Sequence, residues 1–180
     1  MAKAKKKKKF FDVEIPIINK TTQLFAFEIK DLGGKFVKYD LTRLLRGKNA
    51  VLQLKVQLKG EKATTIPQEL KILPYFIKKM VRKGTNYVED SFSTKSKDSI
   101  IKIKPFLVTR RKVSRAVRKA LRDKAREELI KYAKAKDSIA IFEDILKNQL
   151  QKTLSLKLKK IYPLSLCEIR FLKIEDKKQE

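Results

Sequence analysis

Val51-Leu52-Gln53-Leu54-Lys55-Val56-Gln57-Leu58-Lys59-Gly60 decides the fold class of this chain. Leu52, Leu54, Val56 and Leu58 alternate with Gln53, Lys55, Gln57 and Lys59, and Gly60 closes the run as a turn residue. Period two places alternate side chains on opposite faces of a strand, so one face is buried and the other is wet. Towards the N-terminus, Phe25, Phe27 and Ile29 alternate in the same way with Ala26, Glu28 and Lys30, and Gly33 and Gly34 follow. A second half-buried strand is predicted there, with the Phe25, Phe27 and Ile29 face inward. Between the two strands, Asp40 to Arg46 reads as a short helix that Asp40 caps and Gly47 ends.

Beyond Gly60 the period changes. Leu70, Leu73, Phe76, Ile77 and Met80 have helical spacing, which predicts one amphipathic helix from Pro67 to Arg82, bent or split at Pro74. Tyr87 to Thr94 and Ile100 to Thr109 read as strands joined around Lys95 to Ser99, and Pro105 marks the second as an edge strand or as carrying a bulge. Arg110 to Lys136 is the longest helical stretch. Asp137 or Ser138 caps a further helix from Ile139 to Lys147, and a third runs from about Gln151 to Ile161. The Tyr162-Pro163 step stops that helix, and Leu164 to Ile174 returns to strand with Cys167, Ile169 and Phe171 on one face. The expected architecture is α+β: a β-barrel-like mixed sheet with flanking helices, one domain over 10–175. A disordered lysine-rich tail over 1–9 precedes it and a short C-terminal tail over 176–180 follows.

The composition narrows the function. The chain has 180 residues, 42% of them hydrophobic, which is enough for a core, yet 46 Lys+Arg against 20 Asp+Glu leave a net charge of +26. Solubility does not require such an excess, so a polyanionic partner is expected. No apolar run approaches the ~20 residues of a membrane-spanning helix, and no membrane partner is expected. The tract Lys5 to Lys9 leads through Phe10 and Phe11 into Asp12 and Glu14, without the apolar segment of a signal peptide, which predicts a cytoplasmic protein. One cysteine, Cys167, forms no internal disulfide and reads as a small core side chain. With zero histidines the commonest zinc ligand and general base is missing. No catalytic residue, metal or cofactor is expected.

The arginines locate the contact. Six of the ten, Arg110, Arg111, Arg115, Arg118, Arg122 and Arg126, fall within seventeen residues, and between Lys102 and Arg126 eleven basic residues face one acid, Asp123. A planar guanidinium binds phosphate in bidentate fashion and stacks on bases, so clustered arginine speaks for RNA more strongly than charge does. On a helix, Arg111, Arg115, Arg118 and Arg122 share an arc of ~60° over ~17 Å, with Lys112 and Lys119 beside them. Val113, Ala116, Val117 and Ala120 occupy the opposite arc and would rest on the sheet. Ala125, Leu129 and Ala133 rotate towards the arginine side, which implies a bend or a second packing partner. The candidate RNA-binding residues are therefore Arg110, Arg111, Lys112, Arg115, Arg118, Lys119, Arg122 and Arg126, together with Lys5, Lys6, Lys7, Lys8 and Lys9 of the tail.

Phe10 and Phe11 have two readings, base stacking or core packing on the first strand, of which the second is favoured. Asp12 and Glu14 lack a third acid or a histidine nearby and read as counter-charges. Lys48 follows Gly47 without the rest of a nucleotide-binding loop.

Taken together, these residues resemble the S-three-A-e family of small-subunit ribosomal proteins of archaea and eukaryotes. The resemblance rests on the basic tail before Phe10-Phe11-Asp12-Val13, where Phe11 replaces the family's tyrosine. It continues through Phe27-Glu28-Ile29-Lys30-Asp31-Leu32, Gly47-Lys48-Asn49, Thr109-Arg110-Arg111-Lys112 and, most specifically, Ile161-Tyr162-Pro163-Leu164. It implies a β-barrel-like domain on the platform of the small subunit, near the mRNA exit and the 3′ end of the RNA. The partners it implies are small-subunit ribosomal RNA, neighbouring platform proteins and mRNA near the exit, with no obligate homo-oligomer. The competing readings are a nonspecific DNA-binding chromatin protein and an RNA nuclease. The nuclease would need paired acids or a base among the arginines, which Asp123 alone does not supply.

Overall fold

The structure, a computed structural model, describes residues 7–45, 47–60 and 62–175. Lys5, Lys6 and the expected C-terminal tail over 176–180 lie outside the described residues. The chain packs as two compact units. The first holds the residues up to Tyr39 and Gln53–Gln68, and the second holds Asp40–Leu52 and everything from Glu69 onward.

In the first unit, β1 (Lys9–Ile15) pairs antiparallel with β2 (Lys20–Ala26), with Phe10 opposite Phe25 and Val13 opposite Thr22. A single 3-10 turn, Pro16–Ile18, joins them, and Asn19 closes it at φ 51°, a conformation Asn adopts more readily than most residues. β3 (Phe36–Asp40), β4 (Ala50–Lys59) and β5 (Lys62–Ile72) follow, with Asp40, Ala50–Leu52 and Glu69–Ile72 of these strands counted in the second unit. β1 runs parallel to β5 at Val13 and Ala63, and β4 pairs with both β3 and β5. The core holds Val13, Ala26, Leu32, Val56 and Ala63, with Phe11, Leu24, Ile29, Val37 and Leu58 packed against it.

β4 matches its predicted alternation: Leu52, Leu54 and Val56 are buried. β2 overturns its own. Ala26 is buried while Phe25 and Phe27 are exposed, and Ile29 belongs to a 3-10 turn, Ile29–Leu32, that a capping box between Glu28 and Asp31 opens. The period was right and the phase was not. Leu24-Phe25-Ala26-Phe27 is apolar on both faces, and a one-residue slip exchanges them. Phe10 and Phe11 divide between their two readings, the former exposed and the latter packed on the core. Lys9, expected in the tail, is the first residue of β1.

In the second unit the expected helix from Asp40 is a single turn after β3. Asp40 Oδ1 accepts hydrogen bonds from Thr42 N (2.8 Å) and Thr42 Oγ1 (2.5 Å), Leu45 N donates to Leu41 O (2.9 Å), and Gly47 takes φ 86°. The expected helix over 67–82 is also corrected. β5 continues to Ile72, and only α1 (Pro74–Met80) is helical. Leu73 is extended, at ψ 139°, as a residue before proline must be, and Pro74 starts the helix at a position where its missing N–H costs nothing.

β6 (Tyr87–Glu89) and β7 (Phe92–Lys95) replace the single expected strand, and both pair with β8 (Ile100–Thr109). α2 (Arg115–Ala135), α3 (Ser138–Leu146), α4 (Gln149–Leu158) and β9 (Leu164–Glu175) complete the chain. β9 pairs antiparallel with β8 along its length and with β5 at Leu70 and Leu172. The register of β8 on β9 shifts between Lys104 and Pro105, so the proline sits at a bulge, where its missing donor is tolerated. Across that bulge Arg170 is the extra residue, which changes the phase of β9. Cys167 and Ile169 are buried as expected, but Leu172 takes the inward place expected of Phe171. Burial pushes the Cys167 thiol up to about 12, with the neighbouring Glu168 carboxylate adding to the effect, so the thiol stays neutral.

The sheet is mixed: β1 and β5 run parallel, while β1–β2, β5–β9, β6–β8, β7–β8 and β8–β9 are antiparallel. Among the described residues the pairing remains open: β2 pairs only with β1, and β6 only with β8. α2 packs on β6, β7 and α4, and α3 and α4 pack on β9.

Candidate nucleic-acid interface

The candidate interface is built on the junction between β8 and α2. Thr109, the last residue of β8, is fully buried, and its hydroxyl accepts from Asn86 N at 3.0 Å. Its single proton has two acceptors in reach, Arg111 O at 2.7 Å and Asn86 O at 3.0 Å. The side chain of Asn86 accepts from Val113 N at 2.8 Å, which binds the far end of the same junction. Arg110, Arg111 and Lys112 are thus held on a short exposed segment that is not helical. The helix begins only at Arg115, with Ser114 as N-cap accepting from Val117 N at 3.4 Å. This corrects the expected start at Arg110 and removes Arg111 from the helical stripe.

The orientation of α2 is corrected as well. Its buried residues are Leu121, Ala125, Leu129 and Ala133, spaced at i, i+4, whereas Ala116 and Ala120, expected to rest on the sheet, are exposed. Ala125, Leu129 and Ala133, expected to mark a bend or a second packing partner, are the packing face itself. Arg118 and Arg122 lie on adjoining positions of the helix wheel, so the arginines flank the packed side and do not oppose it. Against β6 they form a groove of about 330 Å³, lined by Tyr87, Val88, Glu89, Arg115, Arg118, Lys119 and Arg122.

The charges in this groove are uncompensated. Among the described residues, Arg115, Arg118, Lys119 and Arg122 form no ion pair, and the groove's one acid, Glu89, is bound to Arg170 Nη1 at 3.0 Å. Arg118 Nε is buried and has no acceptor. A buried donor without a partner is costly, typically about 1–3 kcal/mol. Tyr87, stacked on Phe106 at 6.0 Å but still 55% exposed, places an aromatic face on its wall.

Arg126 differs from the other arginines. Its Nε lies 3.8 Å from Asp90 Oδ2 and its guanidinium 5.3 Å from the Phe92 ring centroid, so its partners are within the chain. Of the tail lysines, Lys7 and Lys8 precede β1, and Lys8 Nζ lies 5.2 Å from the Phe27 ring centroid. The sequence reading missed Asn86 and Tyr87. Nothing marks Asn86 in the sequence beyond its position after the Gly84 turn, because its role depends on a hydrogen bond across 27 residues.

The groove offers hydrogen-bond donors and positive charge, the complement of a phosphate backbone. No described group of three or more His, Cys, Asp or Glu side chains could hold a metal ion. No helix among the described residues is long and apolar enough to cross a membrane.

The chain is similar to small ribosomal subunit protein eS1 of Nanoarchaeum equitans, 25% identical over 183 residues, covering 97% of this chain and 92% of that protein. It is also similar to eS1 of Pyrobaculum aerophilum, 31% identical over 140 residues, 76% of this chain and 62% of that protein. With eS1 of Pyrobaculum arsenaticum it shares 28% identity over 138 residues, 76% and 63% of the respective chains. The Ribosomal S3Ae family model matches residues 2–178, so the chain belongs to that family.

Proposed function

We propose that this chain is a structural constituent of the small ribosomal subunit and binds ribosomal RNA through the groove between α2 and β6. The observation that carries the reading is the lining of that groove by Arg115, Arg118, Lys119 and Arg122, none of which forms an ion pair among the described residues. Phosphate oxygens would pair with these charges. The family and the names of the relatives supply the ribosomal context. The resemblance adds the finer reading of a cytoplasmic platform protein near the mRNA exit and the RNA 3′ end, beside other platform proteins. The protein performs no reaction in this reading: Glu89 is engaged by Arg170, and no second acid or base stands with it in the groove.

Each phosphate contact releases condensed counterions, so the slope of log K against log salt counts contacts, at about −0.9 per phosphate on a DNA duplex and about −0.7 on a single strand. Replacing Arg115 and Arg122 with Gln keeps side-chain length and helix propensity and should flatten the slope by roughly 1.4 to 1.8. The control pair Lys131→Gln and Lys134→Gln, at the far end of the same helix, should change it less. An unaltered slope for the arginine pair in a protein shown by circular dichroism to be folded would remove the groove from the interface. Co-sedimentation with small subunits at high salt separates the ribosomal reading from a nonspecific DNA-binding protein. The latter would bind duplex DNA as tightly as RNA and leave the subunits in high salt.

A further inference from the structure

The outward face of the β1–β2 ribbon carries aromatic rings that the fold does not use. Phe10, Phe25 and Phe27 are 68%, 53% and 46% exposed. Phe10 and Phe25 are cross-strand partners with ring centroids 4.9 Å apart and planes tilted by 40°. The inner face of the ribbon is already filled by Val13 and Ala26, with Phe11 and Leu24 beside them, so the rings outside are not surplus from a core that lacks room. Lys8 Nζ stands 5.7 Å from the Phe25 centroid and 5.2 Å from the Phe27 centroid.

Grouped rings rimmed by a cation suit a ligand that combines flat apolar faces with negative charge. Unpaired nucleotides have both, since every base presents a π-face and every linkage a phosphate. A duplex does not suit the face, because its bases are stacked on one another. The charge along the ribbon gives the site a direction: Asp12 and Glu14 continue the Phe10 side of β1, and both are exposed. An anionic backbone is therefore drawn to the Lys8 end and kept from the other. The same two acids disfavour an anionic membrane surface, which would meet the whole face at once.

We propose that Phe10, Phe25 and Phe27 form a stacking platform for bases of an unpaired RNA segment, with Lys8 taking a phosphate at its rim. The proposal rests on the reading above that RNA is the partner, but it assigns a different surface and a different feature of the RNA. Its test uses the full chain and three fluorescently labelled ligands: an eight-nucleotide oligouridine, the same oligomer with abasic riboses, and an RNA hairpin whose loop is a base-free ethylene glycol linker. Phe25→Thr with Phe27→Thr removes rings, retains strand preference and changes no charge. Stacking on aromatic side chains is strong enough that affinity for oligouridine should fall at least about tenfold. Hairpin affinity and both salt slopes should hold. The abasic oligomer should bind the parent as weakly as oligouridine binds the variant.

Undiminished oligouridine binding by the folded variant, or tight binding of the abasic oligomer by the parent, overturns the platform. So does equal loss on oligouridine and hairpin, which would mean the rings do not read unpaired bases. In each of these outcomes Arg115→Gln with Arg122→Gln still decides the groove separately, through the hairpin salt slope. Failure of the parent to bind any of the three ligands overturns both readings. Binding of the parent to phosphatidylserine vesicles, lost in the phenylalanine variant while oligouridine binding persists, would assign the face to lipid.

Discussion

The two halves of α2 solve the same electrostatic problem in opposite ways. From Lys124 onward every cation of the helix and its C-cap but Lys134 has a partner. Glu127 accepts from Lys131 at 2.6 Å and from Lys124 at 2.9 Å, Glu128 from Lys157 at 2.5 Å, and Asp144 from Lys136 and Tyr132 at 2.6 Å each. The hydrogen bonds from Lys131 and then Lys124 hold the Glu127 carboxyl at about 2, and its bond to Asp144 raises Lys136. Burial works to raise Asp144, but the bonds from Lys136 and Tyr132 outweigh it and keep that carboxyl low. From Arg115 to Arg122 no such partners exist among the described residues, and no acid stands in the first turn.

That first half is unfavourable to the free helix. Arg115 and Lys119, and Arg118 and Arg122, are like charges at i, i+4, each pair costing a few tenths of a kcal/mol. Cations in the first turn also oppose the helix dipole, at about 0.3–1 kcal/mol each where exposed. Leu121 at the end of the first half and Ala125, Leu129 and Ala133 in the second anchor the helix and so make the charged half affordable. An element with one half stabilised by its own contacts and the other destabilised by its own charges is what an external anion would complete.

The contrast can be broken from the anchored side first. Leu129→Ala empties a site on the packed face and should destabilise the protein by about 2–5 kcal/mol in denaturant unfolding. A loss below 1 kcal/mol would mean the stripe does not anchor the helix. Thr109→Val comes next: it leaves Asn86 N–H without its acceptor in a buried junction and should cost about 1–3 kcal/mol. RNA affinity should fall with it, because Arg110 and Arg111 lose their mount. Full RNA affinity in a destabilised Thr109→Val protein would separate the junction from binding.

The same pair of arginine substitutions that weakens binding should leave unfolding stability unchanged or raise it by up to about 1 kcal/mol, since it removes repulsion and no packing. A clear loss of stability would show that the arginines serve the fold. The smallest effect concerns Asp98, whose carboxylate caps α3 from outside the helix through Ser138 N (2.9 Å) and Ser138 Oγ (2.5 Å). Burial pulls its pKa up, but these bonds and one from Ser96 prevail and hold it at about 2, below the ordinary 3.8. The folded state therefore binds fewer protons between those values. The contribution is complete above about pH 4 and is lost as pH falls through about 2. Asp98 is exposed, so solvent screening limits it to about 1 kcal/mol or less, read as the pH-dependent difference between the parent and Asp98→Asn in urea melts.

Composition and local pattern alone determined the excess of positive charge, the α+β class, β4 and β8, the place of the bulge at Pro105, and the concentration of arginine after Thr109. These follow from quantities that sequence carries directly: net charge, a period of two and the missing N–H of proline. Tertiary structure decided phase and direction. Leu24 to Phe27 is apolar on both faces, and only the packing of Ala26 beside Val13 and Val56 turned the phenylalanines outward. The face of α2 that packs was likewise ambiguous between two apolar arcs. The larger side chains of Leu121 and Leu129 bury more surface than Ala116 and Ala120, and that difference turned the arginines into a groove with β6. Asn86 acquired its role only when β8 brought Thr109 beside it, because a hydrogen bond between residues far apart in the chain leaves no periodic trace in the sequence.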